Sequence, residues 1–297
     1  MWSLDTISGE VRPLGLTDVC VKENFYRVVG QDGAAHNRVE LLFGVVDTEL
    51  RRVQTLFDQL EDPDELELDD LIALGVTVAV QRMRTLQERR LRQQYNAWLV
   101  AQNPREFKPM NDPENPHRAA GLHTELLFSA MWEAADVLTT RQIEVWRDPQ
   151  GRFMTCDAPV LIPFRHNVRP SLMTAPYVLW PVSPHRVVAL GNDLLGEKAV
   201  IREATGNLRG IVRDGVEKGR ERMIFASDEH RDRLPRTKKF RRRTQTRLRC
   251  SQRTPHGEQV EPPGCCVEQS YAFAVGPDVD LCDQGLHFPA PDMSSYK

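Results

Sequence analysis

The sequence predicts an α+β fold in which long N-terminal helices pack on a small, mostly antiparallel sheet, followed by an irregular C-terminal tail. Three observations carry this expectation. Val39, Leu42, Phe43, Val46, Leu50, Val53, Leu56, Phe57 and Leu60 recur at three- and four-residue intervals, the spacing of one buried helix face. From Gln142 onward the period shortens to two, and both periods stop near Leu234. Helices followed by strands, without regular βαβ alternation, is the order of an α+β chain.

Residues 1–36 read as a truncated lead-in of short strands and turns, punctuated by Gly9, Pro13, Gly15, Gly30 and Gly33. A single domain is expected over 37–235, with a helical half at 37–140 and a sheet half at 141–235. Asn37 followed by Glu40 predicts an N-cap with a reciprocal glutamate. Seven carboxylates in residues 61–70, interrupted by Pro63, read as a solvated loop ending at a cap on Asp69. A second helix is expected from Asp70 toward Gln102 and a third over 118–139, separated by a linker that contains Pro104, Pro109, Pro113 and Pro116. Residues 142–147 and 152–156 flank the turn-forming Asp148-Pro149-Gln150-Gly151 and predict a hairpin. Strands follow at 160–164, 177–180 and 186–190, then a helix over 195–217, a strand over 223–226 and a short helix capped by Ser227.

Composition bounds the function. A formal charge of -3 and a pI near 6.3 give no whole-protein attraction to nucleic acid or anionic membrane. The uncharged apolar run at residues 71–80 is far short of a spanning helix and reads as buried core. The first residues lack the apolar stretch of a secretory signal, so the expected location is cytoplasmic. Six cysteines do not make a disulfide framework, and Cys250, Cys265, Cys266 and Cys282 lack the paired spacing of a zinc knuckle. No metal site is expected. The signatures G-x-S-x-G, Walker loop, G-x-G-x-x-G, H-E-x-x-H and C-x-x-C are absent, and His117, His123, His166 and His185 are scattered.

Chemistry is sought in four places. Thr155-Cys156-Asp157-Ala158-Pro159 puts a carboxylate at a strand end, where it can take backbone amides or pair with Arg84. Pro181-Val182-Ser183-Pro184 forms a second strand-end turn, Glu40 lies on the first helix, and Gln81-x-x-Arg84-Thr85 on the second. In these motifs the chain resembles the domain-of-unknown-function family 4238 over about residues 20–235. Members of that family are similar at Thr-Ser-Asp-Asn-Pro, Pro-Leu-Ser-Pro, Gln-x-x-Arg-Thr and a helical Asn that corresponds to Asn207. Cys156 and Ala158 depart from the Ser and Asn of that pattern, and the family's His-Tyr-x-Pro opening does not precede the first strand.

The resemblance implies a polar pocket of Glu40, Arg84, Asp157 and Asn207, with Cys156 and Ser183 as secondary candidates. Two readings stay open: a noncatalytic binding or interaction protein, and a metal-dependent hydrolase or nuclease whose carboxylates hold Mg²⁺. No cofactor is expected under the first. A third reading, nucleic-acid binding through residues 236–253, rests on the basic tail, where residues 231–253 carry eleven Lys or Arg against Asp232 alone. Lys238, Lys239, Arg241, Arg242 and Arg243 are its candidate phosphate contacts. The rest of residues 236–297 mixes Arg, Pro and Cys without a period and suggests a degenerate or frameshifted extension. Limited proteolysis is expected to cut first within 236–253 and to leave a stable fragment near residues 20–235. A tail that resists protease, and whose removal lowers the melting temperature, would contradict this.

Overall fold

The structure is a computed structural model and describes residues 1–15, 25–29, 33–110, 117–163, 172, 175–194, 199–234, 252–253 and 259–260. In chain order the elements are β1 (Trp2–Asp5), β2 (Val11–Pro13), β3 (Val28–Val29), β4 (Ala35–His36), α1 (Arg38–Gln59), α2 (Leu68–Met83), α3 (Leu86–Gln102) and α4 (Arg118–Thr139). The second half contributes β5 (Arg141–Arg147), β6 (Thr155–Cys156), β7 (Tyr177–Pro181), β8 (Arg186–Leu194), β9 (Val200–Glu203), α5 (Gly206–Gly219) and β10 (Met223–Ala226). This is a mixed α+β fold.

A central sheet of order β7-β8-β5-β9 is antiparallel except for the parallel pair of β5 and β9. Its strands alternate between two cores, as the period of two requires. Ile143, Val145, Val178, Trp180, Val188 and Leu190 face the helical core with Val53, Phe57, Leu74, Val78 and Leu127. Leu179, Val187 and Ala189 face a second core with Leu4, Cys156, Val212, Val216 and Ile224. Burial on both faces explains the near-continuous apolar runs of β7 and β8. The second core is closed by α5 and by a sheet of order β2-β1-β10-β6, in which Leu4 pairs with Ile224 and Cys156 also pairs with Ile224. Strand β1 is therefore an inner strand, flanked by β2 and β10.

Several local expectations are corrected. The single helix of residues 70–102 is broken at Arg84 and Thr85, because Thr85 Oγ1 accepts from Glu88 N at 3.1 Å and caps a new helix. Asn37 makes no side-chain cap, and α2 is capped at Glu67 through a capping box with Asp70, not at Asp69. The hairpin does not form, since β5 pairs with β8 and β9 while β6 pairs with β10 in the other sheet. Gly151, at φ 62°, turns the chain between the sheets, and a Cβ there would lie 2.7 Å from the His185 ring. The helix of 195–217 begins later, because Val200 and Ile201 enter β9 and Thr205 caps α5. Of the strand expected over 160–164, the described residues 160–163 show only a bridge from Leu161 to Leu179. Ser227 makes no cap bond to the 3₁₀ turn that follows it.

Helices α2 and α4 approach closely at Gly75, where a Cβ would lie 3.0 Å from the Ala135 carbonyl oxygen and 3.2 Å from Thr139 Cγ2. Gly75→Leu is expected to force the helices apart at a cost of about 1–3 kcal/mol. Thermal denaturation checks this: the melting temperature should fall by several degrees, and an unchanged value would contradict the close approach.

Candidate functional site

The loop from α5 to β10 is held from three sides. From β6, the Asp157 carboxylate accepts from three successive backbone amides, Glu221 N at 2.8 Å, Arg222 N at 2.7 Å and Met223 N at 2.9 Å. Asp157 N in turn donates to Met223 O at 3.2 Å. From β1, Asp5 takes the Arg222 guanidinium at 2.5 Å and the amides of Ile7 and Ser8. From α3, Arg90 grips Glu221 with two bonds of 2.6 and 2.7 Å. Burial pushes the Asp157 carboxyl up to about 6, against the pull of its three amides. Burial also acts on Asp5, but Arg222 and the two amides outweigh it and hold that carboxyl at about 2.

The corner between α2 and α3 docks on the same loop. Arg84 ends α2 and Thr85 starts α3, so the Gln81-x-x-Arg84-Thr85 motif is a helix corner. Just beyond it Gln87 Nε2 donates to Arg220 O at 3.5 Å. Glu88 lies 3.5 Å from Arg82 and 3.3 Å from Arg92, all three being largely buried. Burial lowers the Arg82 guanidinium to about 10, although Glu88 opposes the shift. On α4, His123 is fully buried beside the rings of Phe25 and Tyr26, and neither ring nitrogen has a hydrogen-bond partner among the described residues. Burial, assisted by Arg92 and Arg89, drives His123 down to about 3, so the ring is neutral.

The four residues expected to form one pocket have separate partners. Glu40 accepts from Tyr26 N at 3.1 Å, and Tyr26 Oη donates to Arg84 O at 3.1 Å, so Glu40 and the Arg84 backbone meet on one tyrosine. The Arg84 guanidinium binds Asp47 on α1 and Gln81 Oε1, the latter at 3.2 Å. Asp157 spends both carboxylate oxygens on the loop amides. Asn207 is exposed in the first turn of α5. Cys156 Sγ lies 3.1 Å from Ala158 O and is buried in the second core. Ser183 Oγ accepts from His185 N at 3.1 Å and shapes the turn between β7 and β8. Lys238, Lys239, Arg241, Arg242 and Arg243 lie outside the described residues.

Sequence reasoning missed two features. One is the buried polar junction of Arg82, Gln87, Glu88 and Arg92, which reads in sequence as a charged, solvated helix. The other is a cleft between α5 and the turn after β5, whose arginines come from distant segments. Among the described residues, no three His, Cys, Asp or Glu side chains stand close enough to hold a metal ion.

Asp157→Ala leaves three amides without their acceptor and is expected to cost about 2–4 kcal/mol, read as a lower melting temperature or denaturant midpoint. Asp157→Asn isolates the titration. With a folded value near 6 and an unfolded value of 3.8, the folded state binds more protons between these pH values, so stability falls as pH rises through the window. The wild type should lose stability relative to Asp157→Asn from about pH 4 to 6. The opposite slope would mean that the three amides outweigh burial.

No helix among the described residues is long and apolar enough to cross a membrane. Neither a curated protein nor a solved structure matches the chain. The profile of one family matches residues 1–234, which extends the resemblance back through β1. The chain therefore belongs to the family described as protein of unknown function DUF4238.

Proposed function

We propose that this domain is a noncatalytic binding module of the cytoplasm. One observation carries the reading: the carboxylate that the family motif places at the end of β6 is engaged by Glu221, Arg222 and Met223 amides, and these leave it no free oxygen directed at a substrate. A general base or metal ligand needs such an oxygen within bonding reach of the reacting group. Glu40 Oε1 accepts from Tyr26 N, and the Arg84 guanidinium is bound to Asp47 and Gln81. The motif residues thus hold a rigid scaffold, on which a ligand site is presented at the surface.

The test is a nuclease assay of the full-length chain on DNA and RNA with Mg²⁺ and with Mn²⁺. Wild type, Glu40→Gln and Asp157→Asn should give the same background. Cleavage by the wild type that disappears in Glu40→Gln, at an unchanged melting temperature, would replace this reading with the metal-dependent hydrolase.

A further inference from the structure

A cleft of about 180 Å³ opens between α5, the turn after β5 and the 3₁₀ turn Asp228–Arg233. Its walls carry four guanidinium groups, Arg152, Arg209, Arg213 and Arg233, over an apolar base that includes Phe153 and Met154. Two of the four are fixed by Asp148, whose side chain is fully buried. Arg152 holds that carboxylate through two bonds of 2.7 and 2.5 Å, and Arg209 stands 3.8 Å from it while donating to Ala204 O. The other two are more open. Among the described residues Arg213 pairs with the Glu217 carboxylate one helical turn on, a partly exposed pair whose attraction solvent weakens. Arg233 is exposed and has no carboxylate partner among the described residues.

The charge count selects the ligand. Among the lining residues and their ion-pair partners, four guanidinium groups stand against the carboxylates of Asp148 and Glu217, an excess of two positive charges. Guanidinium forks match the paired oxygens of phosphate and carboxylate, and a phosphate dianion presents enough oxygens for two forks at once. The helix face between the arginines is kept bare by Gly210, where a Cβ would meet no atom within 4 Å. An apolar base beneath a few convergent polar groups is the usual make-up of a small-molecule site.

We propose that this cleft binds a small phosphate monoester, with the dianionic phosphate on Arg213 and Arg233 and the organic group against Phe153 and Met154. Arg152 and Arg209, fastened to Asp148, set the field of the site. The proposal rests on the reading of the domain as a binding module and names the ligand class for it.

Calorimetric titration of the full-length chain at fixed ionic strength tests the site, with phenyl phosphate, inorganic phosphate and benzoate as probes. Phenyl phosphate should bind saturably at one site and more tightly than the other two. The double variant Arg213→Gln, Arg233→Gln should weaken it at least tenfold. Gly210→Leu, which fills the bare face with a residue that favours helix, should weaken it without lowering the melting temperature. Absence of saturable binding, or binding unchanged in both variants, would overturn the site and leave the noncatalytic reading standing. Equal affinity for inorganic phosphate would overturn the preference for an ester. Release of phenol during the titration would overturn the noncatalytic reading and leave the site in place.

Discussion

The bond between Asp157 and the amides of residues 221–223 sets the geometry of everything around it. A carboxylate that accepts successive backbone N–H groups fixes the loop's path as a metal ion fixes its ligands, because each amide must point at the same two oxygens. That loop launches β10, the strand shared by β1 and β6, and it ends α5, which closes the second core. Arg90 and Gln87 then bind its Glu221 side chain and Arg220 carbonyl, so the helical half is registered against the sheet half at the same point. Loosening this loop would unfasten the β2-β1-β10-β6 sheet, the end of α5 and a helix corner together.

Such a junction is costly, and its cost argues for a positioning role. Burying Arg82, Glu88 and Arg92 takes charges out of water, and an apolar replacement of similar volume is often as stable. What the polar junction provides is direction. The ion pairs and amide bonds are satisfied only when the α2–α3 corner, the β6 end and the α5–β10 loop meet in one arrangement, whereas apolar packing would tolerate several. His123 belongs to the same region but is neutral and bounded by rings, which makes it part of the packing.

How much of this was legible depends on the range of the interaction involved. Helices α1 and α4 and strands β7 and β8 follow from periodicity, because each buries one face or both against a continuous core, although Leu42 of the expected α1 face is exposed. The α2–α3 corner was hidden: Thr85 is an ordinary cap residue, but the charged stretch after it reads as a continuing solvated helix, and only the fold reveals that Gln87 and Glu88 are buried. The turn at Asp148–Gly151 was legible as a turn and misread as a hairpin, since turn chemistry does not say which sheet receives the next strand. At the site, amide capture and pairing with Arg84 were both open to Asp157; the structure gives Asp157 the amides and Arg84 the nearby Asp47. The arginine-lined cleft left no local signal at all. Its four members are spread from residue 152 to residue 233 in a chain rich in arginine, and only folding brings them together.

Hydrogen exchange at the backbone amides of Glu221, Arg222 and Met223 tests the central claim most directly. If the Asp157 carboxylate organises the junction, these three amides exchange as slowly as the core of β10 in the wild type, and in Asp157→Ala they become fast together with the amides of β6. Exchange at the rate of an exposed loop in the wild type would contradict the account, because the loop would then be free of the carboxylate that is said to hold it.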